Sequence, residues 1–159
     1  MKSLAPLFLA LAATAAWAQP AAPVTVTGSW ARPSVQGQTS SGVYLTLTAR
    51  QPLQLVGVST PVAAEAEVHE MKLDGDVMRM RALPALDLPA GQPVQLKPSG
   101  NHVMLQQLKM QLKPGTSIPL TLTFRAPGGE QRQLTVQVPV SMTPPREVGA
   151  TAAHGGHAH

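Results

Sequence analysis

Short stretches of alternating apolar and polar residues run through most of this chain and restrict its fold more than any other feature. Clear examples are residues 42–48, 67–73 and 118–124, which are rich in Val, Thr and Leu. An alternation with a period of two places the apolar side chains on one face of a β-strand. Turn signals such as Asp74-Gly75 and Lys113-Pro-Gly115 separate these stretches. At least seven short strands and little helix therefore predict an all-β Greek-key sandwich or barrel.

The first 18 residues differ from the rest and predict a cleavable signal peptide. Lys2 gives a charged start, an apolar run follows, and Ala16-Trp17-Ala18 has the small-x-small form of a cleavage site. We therefore expect the mature chain to begin at Gln19, with a folded domain over residues 19–142 and a flexible tail over 143–159. No cysteine lies near the cleavage point, so we expect a periplasmic protein without a lipid anchor.

The composition excludes several classes of function. The sequence has no cysteine, which rules out a disulfide framework, a thiolate zinc site and a blue-copper centre. Aromatic residues are 3% of the chain and the net charge is only +4, so nucleic-acid binding is not expected. The acidic residues form no convincing acid/base pair, and no serine lies in a nucleophile elbow. These observations predict a binding protein rather than an enzyme.

Histidine and methionine are concentrated around the Asp74-Gly75 turn. Asp-Gly is a preferred two-residue hairpin loop, because both loop positions then take a positive φ. That loop predicts a register with His69 opposite Met80 and Met71 opposite Met78. Residues directly opposite each other share a face of the sheet, so an imidazole and a thioether could reach one ion. A four-residue loop would keep this register, and a three-residue loop would break it.

A second pair of metal-ligand residues occurs at His102-Val-Met104. Residues two apart in a strand point to the same face, so both side chains could bind one ion. If this strand lies beside the hairpin, the combined set is His69, Met80, His102 and Met104. Two imidazoles and two neutral thioethers favour Cu(I) over zinc or the hard cations. The alternative is that each methionine fills a gap in the core and that each histidine is an ordinary strand residue.

The C-terminal tail carries three further histidines, His154, His157 and His159, separated by small residues. Imidazoles on a flexible segment suit Cu(II), Ni(II) and Zn(II). The spacing differs from that of an uninterrupted purification tag, and a tail without function is the other alternative. We expect a secondary Cu(II) site there, or a tail that folds over the main site.

The chain resembles the PCuAC family of periplasmic copper chaperones. The spacing His69, ten residues, Met80, twenty-one residues, His102, one residue, Met104 matches the family signature. The segments VHEMKLDGDVMRMR and LKPSGNHVML also agree, and the resemblance covers nearly the whole mature chain. One departure is residues 99–101, where the family more often has a second glycine and an aromatic residue before the histidine.

The resemblance implies a cupredoxin-like β-sandwich that binds Cu(I) through those four residues. It also implies delivery of copper toward the CuA centre of cytochrome c oxidase, through transient contact with oxidase subunit II or a Sco-type protein. Met71 and Met78 would lie beside the site, where they could shield it or offer a transfer step. Copper sequestration without a dedicated acceptor is the main alternative function. A redox cupredoxin and an interaction domain that binds no metal are two others.

Overall fold

The structure, a computed structural model, describes residues 22–146 and consists of ten antiparallel strands joined by turns. No helix in this part of the chain is long and apolar enough to cross a membrane. The predicted signal peptide and the three tail histidines lie outside the described residues. The strands are β1 (Val24–Ala31), β2 (Ser40–Ala49), β3 (Leu53–Ser59), β4 (Ala63–Asp74), β5 (Val77–Ala82), β6 (Leu86–Leu88), β7 (Pro93–Leu96), β8 (His102–Leu108), β9 (Ser117–Arg125) and β10 (Gln131–Pro139).

The strands form two sheets that pack as a sandwich. The first sheet has the order β1-β2-β8-β4-β5, and the second has the order β10-β9-β3-β6. Strand β2 is long enough to pair with two neighbours on one side, β8 along residues 40–43 and β7 along residues 45–48. The predicted all-β cupredoxin-like sandwich is therefore confirmed. The short strand β6 is an addition, since its three residues show too little alternation to be predicted.

The core lies between the two sheets and follows the alternation in the sequence. Buried apolar residues alternate with less buried residues over residues 45–49 of β2, 103–105 of β8 and 118–124 of β9. Burying these apolar side chains supplies most of the stabilisation of such a fold. The largest side chains shielded from solvent in these strands are those of Leu45, Leu47, Leu105, Leu120, Leu122 and Phe124.

The β4–β5 hairpin has a different register from the predicted one. The loop is Gly75-Asp76 and is closed by the pair Asp74–Val77, so Met71 lies opposite Met80 and His69 lies opposite Ala82. Gly75 has a φ of +61°, whereas Asp76 is not among the residues with positive φ. A glycine at the first position of a two-residue loop is typical of a type II′ turn. The predicted direct opposition of His69 to Met80, and of Met71 to Met78, was therefore wrong.

The two-residue shift leaves each side chain of the hairpin on the face that was predicted for it. A shift of two residues keeps every side chain on its original face, whereas a shift of one would reverse it. Met80 remains on the same face as His69, as its diagonal neighbour across the two strands. Strand β4 pairs with β8 only as far as His69, so the hairpin beyond this point extends past β8 as a two-stranded arm.

Candidate metal site

The outer face of the first sheet carries the four predicted ligands. Val68 and Val103 are buried in the core, so the next residues along their strands point outward. The register pairs His69 of β4 directly with His102 of β8, and their ring centroids are 6.0 Å apart. Two imidazoles thus lie side by side on adjacent strands.

Glu67 determines which nitrogen of His69 carries the proton. It lies two residues before His69 on the same face of β4, and the Nε2–H of His69 donates to Glu67 Oε2 at 3.1 Å. An ionised carboxylate can only accept hydrogen bonds, so the lone pair of the neutral ring is on Nδ1. This Nδ1 atom is buried and has no hydrogen-bond partner among residues 22–146. A buried polar atom without a partner is destabilising, and a metal ion bound to Nδ1 would satisfy it.

His102 has the same arrangement with its two nitrogens exchanged. The residue is 5% exposed, and its Nδ1–H donates to the carbonyl oxygen of Gly100 at 3.1 Å. The lone pair of this ring is therefore on Nε2. Histidines that bind metals commonly donate their second N–H to a carboxylate or a backbone carbonyl, which orients the ring. In this site His69 has a carboxylate partner and His102 has a backbone carbonyl partner.

The two predicted thioether ligands lie on either side of this pair. Met104 follows His102 by two residues and lies opposite Glu67 in the register. Met80, Met104 and His102 all line one open pocket of about 300 Å³, and Met71 lines it as well. His69 adjoins the pocket through its contact with His102. The strands therefore bring the four predicted residues together, and Met71 is a fifth neighbour.

Aromatic side chains form one wall of the pocket. The ring of Tyr44 lies across Gly42, where a Cβ atom would come within 2.5 Å of the tyrosine hydroxyl oxygen. Trp30 packs on this ring with centroids 4.8 Å apart, and the Arg32 guanidinium carbon lies 5.5 Å from the ring centroid. Burial raises the pKa of Tyr44, and the charge of Arg32 offsets part of this rise. The phenol is therefore neutral at physiological pH and supplies no anionic oxygen.

The loop after β1 holds this wall in place. Ser34 is buried, its backbone N–H donates to the carbonyl of Leu112 at 2.9 Å, and its Oγ accepts from the Leu112 N–H at 2.8 Å. These two bonds fix the loop that carries Arg32. Neither Glu67 nor Tyr44 was predicted from the sequence to belong to the site. The Glu67-Val-His69 spacing was a usable signal for the first, and no sequence signal identified the second.

The donor atoms of this site suit a soft monovalent ion. An imidazole binds a metal ion through a nitrogen lone pair without adding charge, and thioethers carry no charge. Soft sulfur ligands favour Cu(I), whereas zinc and hard cations prefer thiolate, imidazole or oxygen ligands. Met80 is 53% exposed, so one side of the site is open to solvent. An ion could therefore enter and leave by exchange of ligands without unfolding of the sheet.

Replacement of Glu67 by glutamine is expected to weaken Cu(I) binding by about 10- to 100-fold, the usual effect of losing a residue that orients a metal ligand. The amide of glutamine no longer imposes one tautomer on His69, since it can donate as well as accept. Competition with the Cu(I) chelator bathocuproine disulfonate measures the affinity, and ¹⁵N NMR of the imidazole measures the tautomer. Glu65→Gln is the matched control, because Glu65 lies on the same face of β4 and contacts Gln107 instead. Equal affinities and an unchanged His69 tautomer in the two variants would contradict this role.

Comparison with known proteins identifies a family model that spans the β-sandwich and two relatives that match a shorter part of the chain. A family model for LpqE-like lipoproteins matches residues 24–140. Lxx21020 of Leifsonia xyli subsp. xyli, whose name describes a lipoprotein, is 29% identical over 102 residues, or 64% of this chain and 61% of the relative. RP573 of Rickettsia prowazekii is 35% identical over 101 residues, or 60% of this chain and 56% of the relative. The match thus spans less than two thirds of these relatives.

Solved structures with the same fold include copper-binding domains. The solution structure of apo-DR1885 from Deinococcus radiodurans is 32% identical, covers 89% of this chain and 98% of its own, and has a TM-score of 0.55. The Cu(I) form of DR1885 is 31% identical, covers 80% of this chain and 83% of its own, and has a TM-score of 0.55. The copper-bound PCuAC domain from PmoF2 is 22% identical, covers 76% of this chain and 93% of its own, and has a TM-score of 0.58.

Proposed function

We propose that this protein is a copper chaperone, since the chain belongs to the LpqE-like family. This is the PCuAC family that the sequence resembles. It binds one Cu(I) ion on the outer face of the first sheet. The ligands are His69 through Nδ1, His102 through Nε2, and the thioethers of Met80 and Met104. The protein acts by binding and release of the ion, without a catalytic step.

The buried Nδ1 of His69 is the observation that carries this proposal. It is a nitrogen with a free lone pair, held beside a second imidazole by the hydrogen bond between His69 and Glu67. A structural histidine in a strand would be expected to use both of its ring nitrogens or to leave one in water. The Cu(I) form of DR1885, which is 31% identical to this chain, supports Cu(I) as the ion.

Delivery of copper is the finer part of the proposal. The exposed Met80 and the open pocket support a site from which an acceptor can take the ion directly. The resemblance indicates the CuA centre of cytochrome c oxidase as the destination, with oxidase subunit II or a Sco-type protein as the contact. In a strain that lacks this protein, we expect poor loading of the CuA centre at limiting copper. Normal loading under these conditions would favour sequestration instead.

Export to the periplasm also belongs to this proposal. The names of the family and of Lxx21020 describe lipoproteins, which are exported proteins, and support export of this chain. Lipoproteins attach their lipid to a cysteine, and the sequence here has none. We therefore propose export through the signal peptide at residues 1–18, without attachment of a lipid to a cysteine.

If the tail holds a separate Cu(II) site, mutations should affect the affinities for Cu(I) and for Cu(II) independently. Deletion of residues 150–159, which removes His154, His157 and His159, is expected to abolish the tighter Cu(II) binding and to leave Cu(I) affinity within about threefold, as expected if the two sites are independent. Met80→Leu is expected to do the reverse. Isothermal titration with Cu(II) and chelator competition for Cu(I) measure the two affinities. Equal losses of both ions in either variant would indicate one mixed centre instead.

A further inference from the structure

Three methionines form a continuous stripe on the site face of the β4–β5 arm. The register pairs Met71 directly with Met80 and places Met78 opposite Leu73, two residues further toward the loop. Residues two apart in a strand share a face, so the three thioethers lie on the face that also carries His69. Directly opposed Cβ atoms are about 4.5–5.5 Å apart, and diagonal neighbours remain within reach of long side chains. The three sulfur atoms can therefore approach one ion.

The methionines of this stripe are more exposed than His102 at the site. His102 is 5% exposed and Met71 is half-buried, whereas Met80 and Met78 are 53% and 51% exposed. The apolar residues on this face are thus open to solvent at the end of the arm. Large apolar side chains that remain exposed as a group usually mark a functional surface.

The opposite face of the arm is mostly charged and carries two ion pairs. Arg81 Nε donates to Glu70 Oε2 at 2.6 Å, and Arg79 Nε donates to Asp74 Oδ2 at 3.0 Å. Both pairs are cross-strand contacts on the face away from the stripe. Packing of the arm calls for apolar side chains but not for sulfur, so packing alone does not explain why three of the four apolar residues on the stripe face are methionine.

Met80 lies both in the candidate metal site and in the methionine stripe. It is the diagonal neighbour of His69 and lines the pocket with His102 and Met104, and it is also the direct partner of Met71. An ion that exchanges its imidazole ligands for Met71 and Met78 could keep Met80 bound throughout. Such a step moves Cu(I) outward without a change in oxidation state and without transfer of a proton.

We propose that Met71, Met78 and Met80 form a second, outer position for Cu(I), made of thioethers only, through which the ion passes between the buried site and an acceptor. This inference rests on the proposed function, because it needs Cu(I) in the inner site. Three neutral sulfur ligands are soft donors that suit Cu(I). The lack of an imidazole there makes the outer position weaker and suited to transfer.

The order of occupancy tests the outer position directly. The full-length chain, labelled with ¹³C at the methionine methyl groups, is titrated with Cu(I) under anaerobic conditions and followed by NMR. The first equivalent is expected to shift the methyl signals of Met80 and Met104. The second equivalent is expected to shift Met71 and Met78, and to leave the exposed Met110 and Met142 unchanged. Met71 and Met78 signals that move no more than that of Met110 would overturn the inference.

Transfer kinetics test whether the outer position lies on the exit route. Met71→Leu and Met78→Leu keep the apolar volume of the side chain but remove the sulfur atom. The double variant is expected to release Cu(I) to bathocuproine disulfonate about tenfold more slowly, because the outer ligands on the exit route are lost. A tenfold slower rate corresponds to an increase of about 1.4 kcal/mol in the barrier. The equilibrium affinity of the variant is expected to change much less. Met110→Leu is the control, because Met110 is 56% exposed and lies away from the arm. Equal release rates in the double variant and the control would overturn the proposed route.

The two experiments also separate this inference from the proposed function. If the first equivalent of Cu(I) leaves Met80 and Met104 unshifted, the inner site is absent and the proposed function fails. If the first equivalent binds there but neither Met71 nor Met78 responds to the second, only the outer position is wrong.

Discussion

Replacement of Met104 by leucine is expected to weaken Cu(I) binding by more than about 100-fold while the domain remains folded. A residue that only supports a ligand costs about 10- to 100-fold when it is lost, and removal of a ligand itself should cost more. Leucine has nearly the same volume as methionine, so the exchange should cost less than about 1.5 kcal/mol of stability. Met104 is half-buried on the outer face of β8, beside His102. The expected loss of Cu(I) affinity therefore comes from removal of the sulfur ligand rather than from a change in packing.

Competition with bathocuproine disulfonate measures this affinity, and urea denaturation of the metal-free protein measures stability. Met110→Leu makes the same chemical change at an exposed position outside the site and is expected to keep wild-type affinity. The prediction is contradicted if Met104→Leu and Met110→Leu bind Cu(I) equally well. Such a result would mean that the thioether of Met104 is not a ligand.

Replacement of Phe124 by alanine is expected to destabilise the fold by about 3–5 kcal/mol. The Phe124 side chain is completely buried and lies in β9, between Leu55 of β3 and Arg132 of β10 in the sheet register. Its removal leaves a cavity between the two sheets. Domains of this size are stable by only about 5–15 kcal/mol, so this loss is a large fraction of the free energy of unfolding.

Urea denaturation followed by tryptophan fluorescence measures this loss, because Trp30 is buried against Tyr44. Val35→Ala is the control, since Val35 is 69% exposed and such surface changes stay within about 0.5 kcal/mol. Under the proposed function, Cu(I) binds the folded state alone and should raise the midpoint of the variant. A midpoint for Phe124→Ala that matches that of Val35→Ala would show that the core does not depend on this residue.

The fold could be predicted because the alternation of apolar and polar residues determines which face of each strand is buried. The strands at residues 42–48, 102–105 and 118–124 all lie where the pattern placed them. Strand β6 was missed because a three-residue strand is too short to show a period. The assignment of strands to two sheets did not follow from the pattern, since pairing depends on contacts between distant parts of the chain.

The sequence predicted which of the candidate residues share a face of the sheet, but not how the hairpin pairs them. The i, i+2 spacing correctly placed His102 and Met104 on one face. The register of the hairpin was wrong because Asp74, Gly75 and Asp76 allow two different two-residue loops, and only the backbone shows which one forms. Glu67 and Tyr44 were missed since their roles depend on a hydrogen bond to a ring nitrogen and on the space left by Gly42.

X-ray absorption at the copper edge tests the central claim most directly. The full-length protein and a variant without residues 150–159 are each loaded anaerobically with one equivalent of Cu(I). Both proteins are expected to show a Cu(I) edge and a first shell that contains two nitrogen and two sulfur scatterers. A first shell of nitrogen and oxygen alone would contradict the claim, because neither Met80 nor Met104 would then bind the ion.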